Sequence, residues 1–166
     1  MPTRPTALEG AAPVSFTAST KAVADGLRSG TAPQTPFKGR LSGSWTLNFD
    51  PPPSPFFTVV FDGTGNGTQL GRFVFHTVHR VNTADGTAAG SYEFISANGD
   101  TLTGDFSGAS GPTETPNVFA IVETVTITGG SGRFANASGH FVIQRLVDFT
   151  TSTSDGTFDG DISLAP

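Results

Sequence analysis

From Phe37 onward, apolar and polar positions alternate with a period of two. Phe37, Leu41, Trp45, Leu47 and Phe49 share one parity, with Gly39 and Gly43 between them, while Lys38, Arg40, Ser42, Ser44, Thr46 and Asn48 share the other. This is the pattern of a half-buried strand with one wet face. Pro51-Pro52-Pro53 ends it, because proline cannot donate to a ladder. The pattern predicts strands over residues 37–49, 56–62, 70–81, 88–97, 101–108, 118–128, 139–149 and 157–164. Between them lie turn signals: Gly63-Thr64-Gly65-Asn66-Gly67, Thr83-Ala84-Asp85-Gly86, Asn98-Gly99, the loop at 112–117, Gly129-Gly130-Ser131-Gly132 and the polar stretch 150–156. Asn98-Gly99 is the strongest hairpin signal of the set.

Strands in this number, joined mostly by short turns, predict an all-β fold: an eight-stranded antiparallel up-and-down β-barrel. Closure removes the exposed edges. A barrel of this size has room for side chains and one small ligand. Residues 1–35, rich in proline and small polar residues and poor in periodicity, read as an extended N-terminal arm, and residues 36–166 as the barrel domain.

Composition narrows the function. The chain of 166 residues has no cysteine, which excludes a disulfide framework, a thiolate nucleophile and a cysteine-ligated zinc. Its net charge is −5 and no basic run is present, so no nucleic-acid partner is expected. No apolar stretch reaches the ~18 residues of a membrane span. Met1-Pro2-Thr3-Arg4 is not followed by an apolar segment, so no signal peptide is expected. No cofactor motif stands out. Gly63-Thr64-Gly65-Asn66-Gly67 lacks the lysine and following helix of a phosphate loop and reads as a hairpin turn. No serine lies in a nucleophile elbow. Asp155, Asp159 and Asp161 do not have calcium-loop spacing, and no metal site is expected.

Several turns carry a resemblance. They are Phe61-Asp62-Gly63-Thr64-Gly65, Leu70-Gly71-Arg72-Phe73, Ala97-Asn98-Gly99-Asp100 and the run Ile127-Thr128-Gly129-Gly130-Ser131-Gly132-Arg133-Phe134-Ala135-Asn136-Ala137-Ser138-Gly139. On these the chain resembles bacterial allene oxide cyclase-like barrel proteins of unassigned role, a superfamily shared with the plant dirigent proteins. The resemblance covers the chain from Phe37 onward. It implies the barrel and an association of subunits, and carries no catalytic residue across, because these are turn motifs and a fold does not transmit a function.

Parity and hairpin registry together suggest a site. A simple register sets His76 opposite Glu93 and Glu123 opposite Arg145. Glu123 shares its parity with Phe119, Ile121, Val125 and Ile127, and Arg145 shares its own with Phe141, Ile143, Val147 and Phe149. Both are therefore expected inside, beside Leu102 and Phe106. A bulge in the glycine-rich turn would shift this register by one and reverse the assignment. The candidate ligand-binding set is Glu123, Arg145, His76, Glu93 and Arg72, with Phe106, Phe119 and Phe141 as apolar lining. The competing explanation of Glu123 and Arg145 is a buried ion pair that fixes register and does no chemistry. His76 alone reads as a packed or rim histidine, and His76 and His79, three apart on a strand, face opposite ways and cannot share a metal.

Phe73 and Phe75 share the parity that His76 does not, and cross-strand register brings Tyr92 and Phe94 near them. These four are expected as an outer aromatic patch, covered by the arm or forming a homo-oligomer interface. The functional expectation is a barrel binding an apolar small molecule with a polar end, including a cyclase or isomerase that acts by positioning and polarisation. The alternative is a non-catalytic secreted binding, structural or assembly module with a packed barrel.

Overall fold

The computed structural model describes residues 32–165, so the expected arm lies outside the described residues as far as residue 31. Eight strands form one closed barrel in sequence order: β1 (Gln34–Phe49), β2 (Phe56–Gly67), β3 (Gly71–Asn82), β4 (Thr87–Ser96), β5 (Thr101–Pro112), β6 (Val118–Gly130), β7 (Ser138–Asp148) and β8 (Thr153–Ser163). Every neighbouring pair is antiparallel, and β1 pairs with both β2 and β8, which closes the barrel. Among the described residues no edge strand is left to template pairing with another chain.

Several residues expected in turns are strand instead. The Gly63–Gly67 stretch continues β2, and Thr68 to Leu70 make the turn. The reason lies in what the glycines face. Gly63, Gly65 and Gly67 occupy the inward phase, and Thr64 and Asn66 point out, so the period of two persists with glycine in the apolar phase. A Cβ at Gly63 would lie 2.7 Å from the Phe75 ring, and one at Gly67 would lie 2.6 Å from the Phe158 ring. Bare backbone is the surface on which those rings lie. Likewise β8 begins at Thr153, inside the stretch expected to be a polar connection.

The barrel has two ends. The turns β2–β3, β4–β5 and β6–β7 close one end, where the core is aromatic. Phe37 contacts Phe141 and Phe158, each with ring centroids 5.0 Å apart, and Phe61 meets Phe75 edge-on at 4.7 Å. Phe134, fully buried in the short 3-10 turn Gly132–Phe134, plugs this end. At the other end, above Tyr92 and Phe106, the inward positions of β4 and β5 are Ala88, Gly90, Gly108 and Ser110. Such small side chains cannot meet across a barrel of this girth, and a cavity opens there.

The aromatic patch expected outside is inside. Phe73, Phe75, Tyr92 and Phe94 are all buried in the core. The predicted register was correct in pairing His76 with Glu93, but the face was inverted. Both phases of β3 carry apolar residues: Phe73 and Phe75 on one, Val74 and Val78 on the other. A phenyl ring buries more area than a valine, so the aromatic phase takes the core and Val74 and Val78 stay half exposed. The outer wall therefore offers no Phe73–Phe94 patch through which to associate.

Candidate functional site

The open end is a cup of about 470 Å³. Its walls are Trp45, Leu47, Val59, Val81, Ile121 and Val147, with Phe57, Phe119 and Phe149 higher up, and the connections Thr83–Gly86 and Pro112 at the mouth. At its base are Glu123, Arg145 and His79.

Glu123 is fully buried and Arg145 is 5% exposed. The Arg145 guanidinium grips the carboxylate with two prongs: Nη2 donates to Oε1 at 2.7 Å and Nε to Oε2 at 3.2 Å. The Tyr92 hydroxyl donates to the same Oε2 at 2.7 Å. Arg145 Nη1 donates to Ser154 Oγ at 3.1 Å, and that hydroxyl donates on to the Leu146 carbonyl at 2.8 Å. The guanidinium also lies over the Phe61 ring, 4.8 Å from its centroid. A buried charge pair tolerates desolvation only when its remaining hydrogen-bonding capacity is met, and here most of it is. Guanidinium has five N–H donors, and three are used within the protein. Tyr92, buried beside a carboxylate, has its pKa driven well above the ordinary phenol range by burial first and the Glu123 charge second. It is therefore a neutral donor.

His79 is the group left over. It is 4% exposed, packs edge-on against Phe106 at 5.4 Å, and its Nδ1 has no hydrogen-bond partner. Burial and then the neighbouring Arg145 charge push its pKa down to about 4, against the opposing pull of Glu123. The imidazole is thus neutral at pH 7. Thr77 Oγ1, one inward position deeper on β3, is likewise buried and unpartnered. A buried polar atom without a partner costs about 1–3 kcal/mol, and a ligand group that reaches it recovers part of that.

Sequence reasoning placed Glu123 and Arg145 inside and paired, and they are, by a slightly different register. Glu123 lies opposite Ile143 and Arg145 opposite Ile121, so the pair is diagonal across β6 and β7. The turn shifts the register by two, not one, and parity survives. Phe106 lies beneath His79, and Phe119 stands in the upper wall. Phe141 belongs to the packed end, against Phe37, Phe94 and Phe158, and does not line the cup. His76, Glu93 and Arg72 point outward, exposed, on the phase opposite to the core. His76 Nδ1 there contacts Asp62 Oδ1 at 2.6 Å. His79, Tyr92, Ser154 and Trp45 were missed as site residues. For His79 and Tyr92 the parity shared with Phe73, Phe75 and Phe94 is the signal that finds them. Among the described residues no cluster of three potential ligands forms a metal site, and no helix is long and apolar enough to cross a membrane.

No family model and no curated protein matches the chain. Among solved structures it is similar to a pterocarpan synthase dirigent protein, with a TM-score of 0.58 and 15% identity over 90% of this chain and 100% of that one. The chain has a dirigent-like barrel fold. At that identity the likeness speaks for the fold and for no residue of the site. The dirigent-like barrel here carries its polar groups at mid-depth, where the packed end gives way to the cup.

Proposed function

We propose that this dirigent-like barrel binds a small, largely apolar molecule in its cup, with a polar group of that molecule turned toward His79 and Arg145. One observation carries the reading: an apolar cavity of about 470 Å³ whose base holds a buried, neutral imidazole with an unpartnered nitrogen. A cavity with apolar walls and a few convergent polar groups is the usual form of a small-molecule site. Glu123 is the strut of the arrangement. Its two oxygens already accept three hydrogen bonds, so its role is to hold Arg145 in place. The two remaining N–H groups of Arg145 and the His79 imidazole are the groups offered to a ligand. A hydroxyl, carbonyl or epoxide oxygen suits those donors. That is the chemistry by which a cyclase or isomerase would polarise a bound molecule without covalent catalysis. The similarity to a pterocarpan synthase dirigent protein favours a substrate-orienting role. The turn run from Ile127 to Gly139 favours kinship with the bacterial allene oxide cyclase-like branch.

Calorimetric titration with naphthylethanol tests the reading. Binding to the wild-type protein is expected, with loss of at least tenfold in affinity for Ala88→Phe, which puts a ring into the cup from an inward position of β4. Equal binding by both proteins would place the molecule elsewhere and overturn the reading.

A further inference from the structure

The open end is ringed by carboxylates. Asp50 stands at the β1–β2 connection, Asp85 at β3–β4, Glu114 at β5–β6 and Asp148 at the end of β7. Among the described residues the one cation at this end, Arg80, donates to both oxygens of Asp50. The remaining described cations lie elsewhere: Lys38, Arg40, Arg72 and Arg133 toward the closed end, and Arg145 locked on Glu123. Asp85 itself lines the cup, and its carboxylate accepts from the backbone and hydroxyl of Thr87 at 3.0 and 2.7 Å. Those hydrogen bonds hold its pKa below the ordinary carboxylate value, so it is charged at neutral pH.

The same cup carries aromatic faces on the β1, β6 and β7–β8 side, across the barrel from Asp85. Trp45 meets Phe149 with ring centroids 4.8 Å apart, and Phe149 meets Phe119 at 5.3 Å. Phe149 is 44% exposed. Aromatic faces attract cations through the ring quadrupole, and carboxylates nearby add to that attraction. An anion entering the cup meets the opposite: Asp85 at the mouth, and at the base an Arg145 whose charge Glu123 already neutralises. We propose that the molecule taken by the cup is an organic cation, an ammonium on an apolar or aromatic body, with the charge held at the mouth, drawn by Asp85 on the β3–β4 side and by the faces of Phe119 and Phe149 on the opposite side. The inference rests on the small-molecule reading of the cup and names the charge class of its ligand. The unpartnered His79 at the base then faces the far, uncharged end of the same molecule.

Three probes with one ring system separate the possibilities: naphthylethylammonium, naphthylethanol and naphthylacetate, each titrated calorimetrically into the full chain. The ammonium is expected to bind about tenfold tighter than the alcohol, and the acetate more weakly than either. High salt should shrink the spread, because surface charge is screened over about 10 Å at 0.1 M ionic strength. Asp85→Asn and Glu114→Gln should each reduce the preference for the ammonium over the alcohol. Equal affinity for ammonium and alcohol, or tighter binding of the acetate, would overturn the cation assignment and leave the cup reading standing. Failure of all three to bind would overturn the cup reading itself.

Discussion

Below the Glu123–Arg145 pair, the inward positions carry aromatic rings, aliphatic side chains such as Leu41, Leu102 and Ile127, and the glycines on which the rings lie. Above it, β4 and β5 carry Ala88, Gly90, Gly108 and Ser110, and the barrel is hollow. The same period-two alternation builds both regions. What differs is the volume presented in the inward phase. In the closed end Phe75 takes the space that Gly63 leaves, so large and small positions face each other. In the open end small faces small across β4 and β5, and nothing fills the gap. The contrast teaches that a barrel's capacity for a ligand is set by matching of volumes between strands, which alternation alone does not encode.

The boundary between the regions is where the comparison breaks most readily. Glu123→Gln leaves Arg145 buried without its counter-charge and should cost about 3–5 kcal/mol of stability in chemical denaturation. Replacing both partners, Glu123→Leu with Arg145→Met, should recover most of that loss, because the penalty is the unpaired charge and not the absence of the pair. A double variant as unstable as the single one would show that the pair contributes more than charge compensation.

Truncation within each half sharpens the contrast. Phe75→Ala in the packed end should cost about 3–5 kcal/mol. Phe119→Ala in the upper wall, already half exposed and facing open space, should cost under about 1 kcal/mol by the same measurement. Equal costs would mean that the upper half is as tightly packed as the lower.

His79 gives the boundary a pH signature. Its pKa is about 4 in the folded protein against an ordinary 6.5, so between those values the unfolded chain binds the proton and the folded one does not. Stability from this group is fully present above pH 6.5 and lost as pH falls toward 4, by up to about 3 kcal/mol. His79→Gln should flatten that part of the profile. The smallest effect belongs to the outer wall: His76→Gln removes an exposed contact with Asp62, and should change stability by less than about 0.5 kcal/mol.

Strand count, order and closure were legible because period-two alternation and turn residues are local signals. The pairing of His76 with Glu93 was legible for the same reason, since a short turn fixes which residues face each other. Which face turned inward on β3 was not, because valines on one phase and phenylalanines on the other both look apolar, and only the larger rings fill the barrel. That single inversion moved His76, Glu93 and Arg72 outside, brought in His79 and Tyr92, and removed the expected outer patch. Glu123 and Arg145 came through because their phase is apolar on both β6 and β7 and the intervening turn shifts the register by an even number. The depth of Phe141, packed at the closed end and away from the cup, depends on the stagger of strands around the barrel, which no local pattern carries.

The central claim is that the upper half of the barrel is a binding cup with His79 and Arg145 at its base. A crystal structure of the protein grown with naphthylethanol tests it most directly. The account predicts the ring between Phe119 and Val59, with the hydroxyl within hydrogen-bond distance of His79 or Arg145. Side chains collapsed into an empty or absent cup, with the molecule bound on the outer wall, would contradict it.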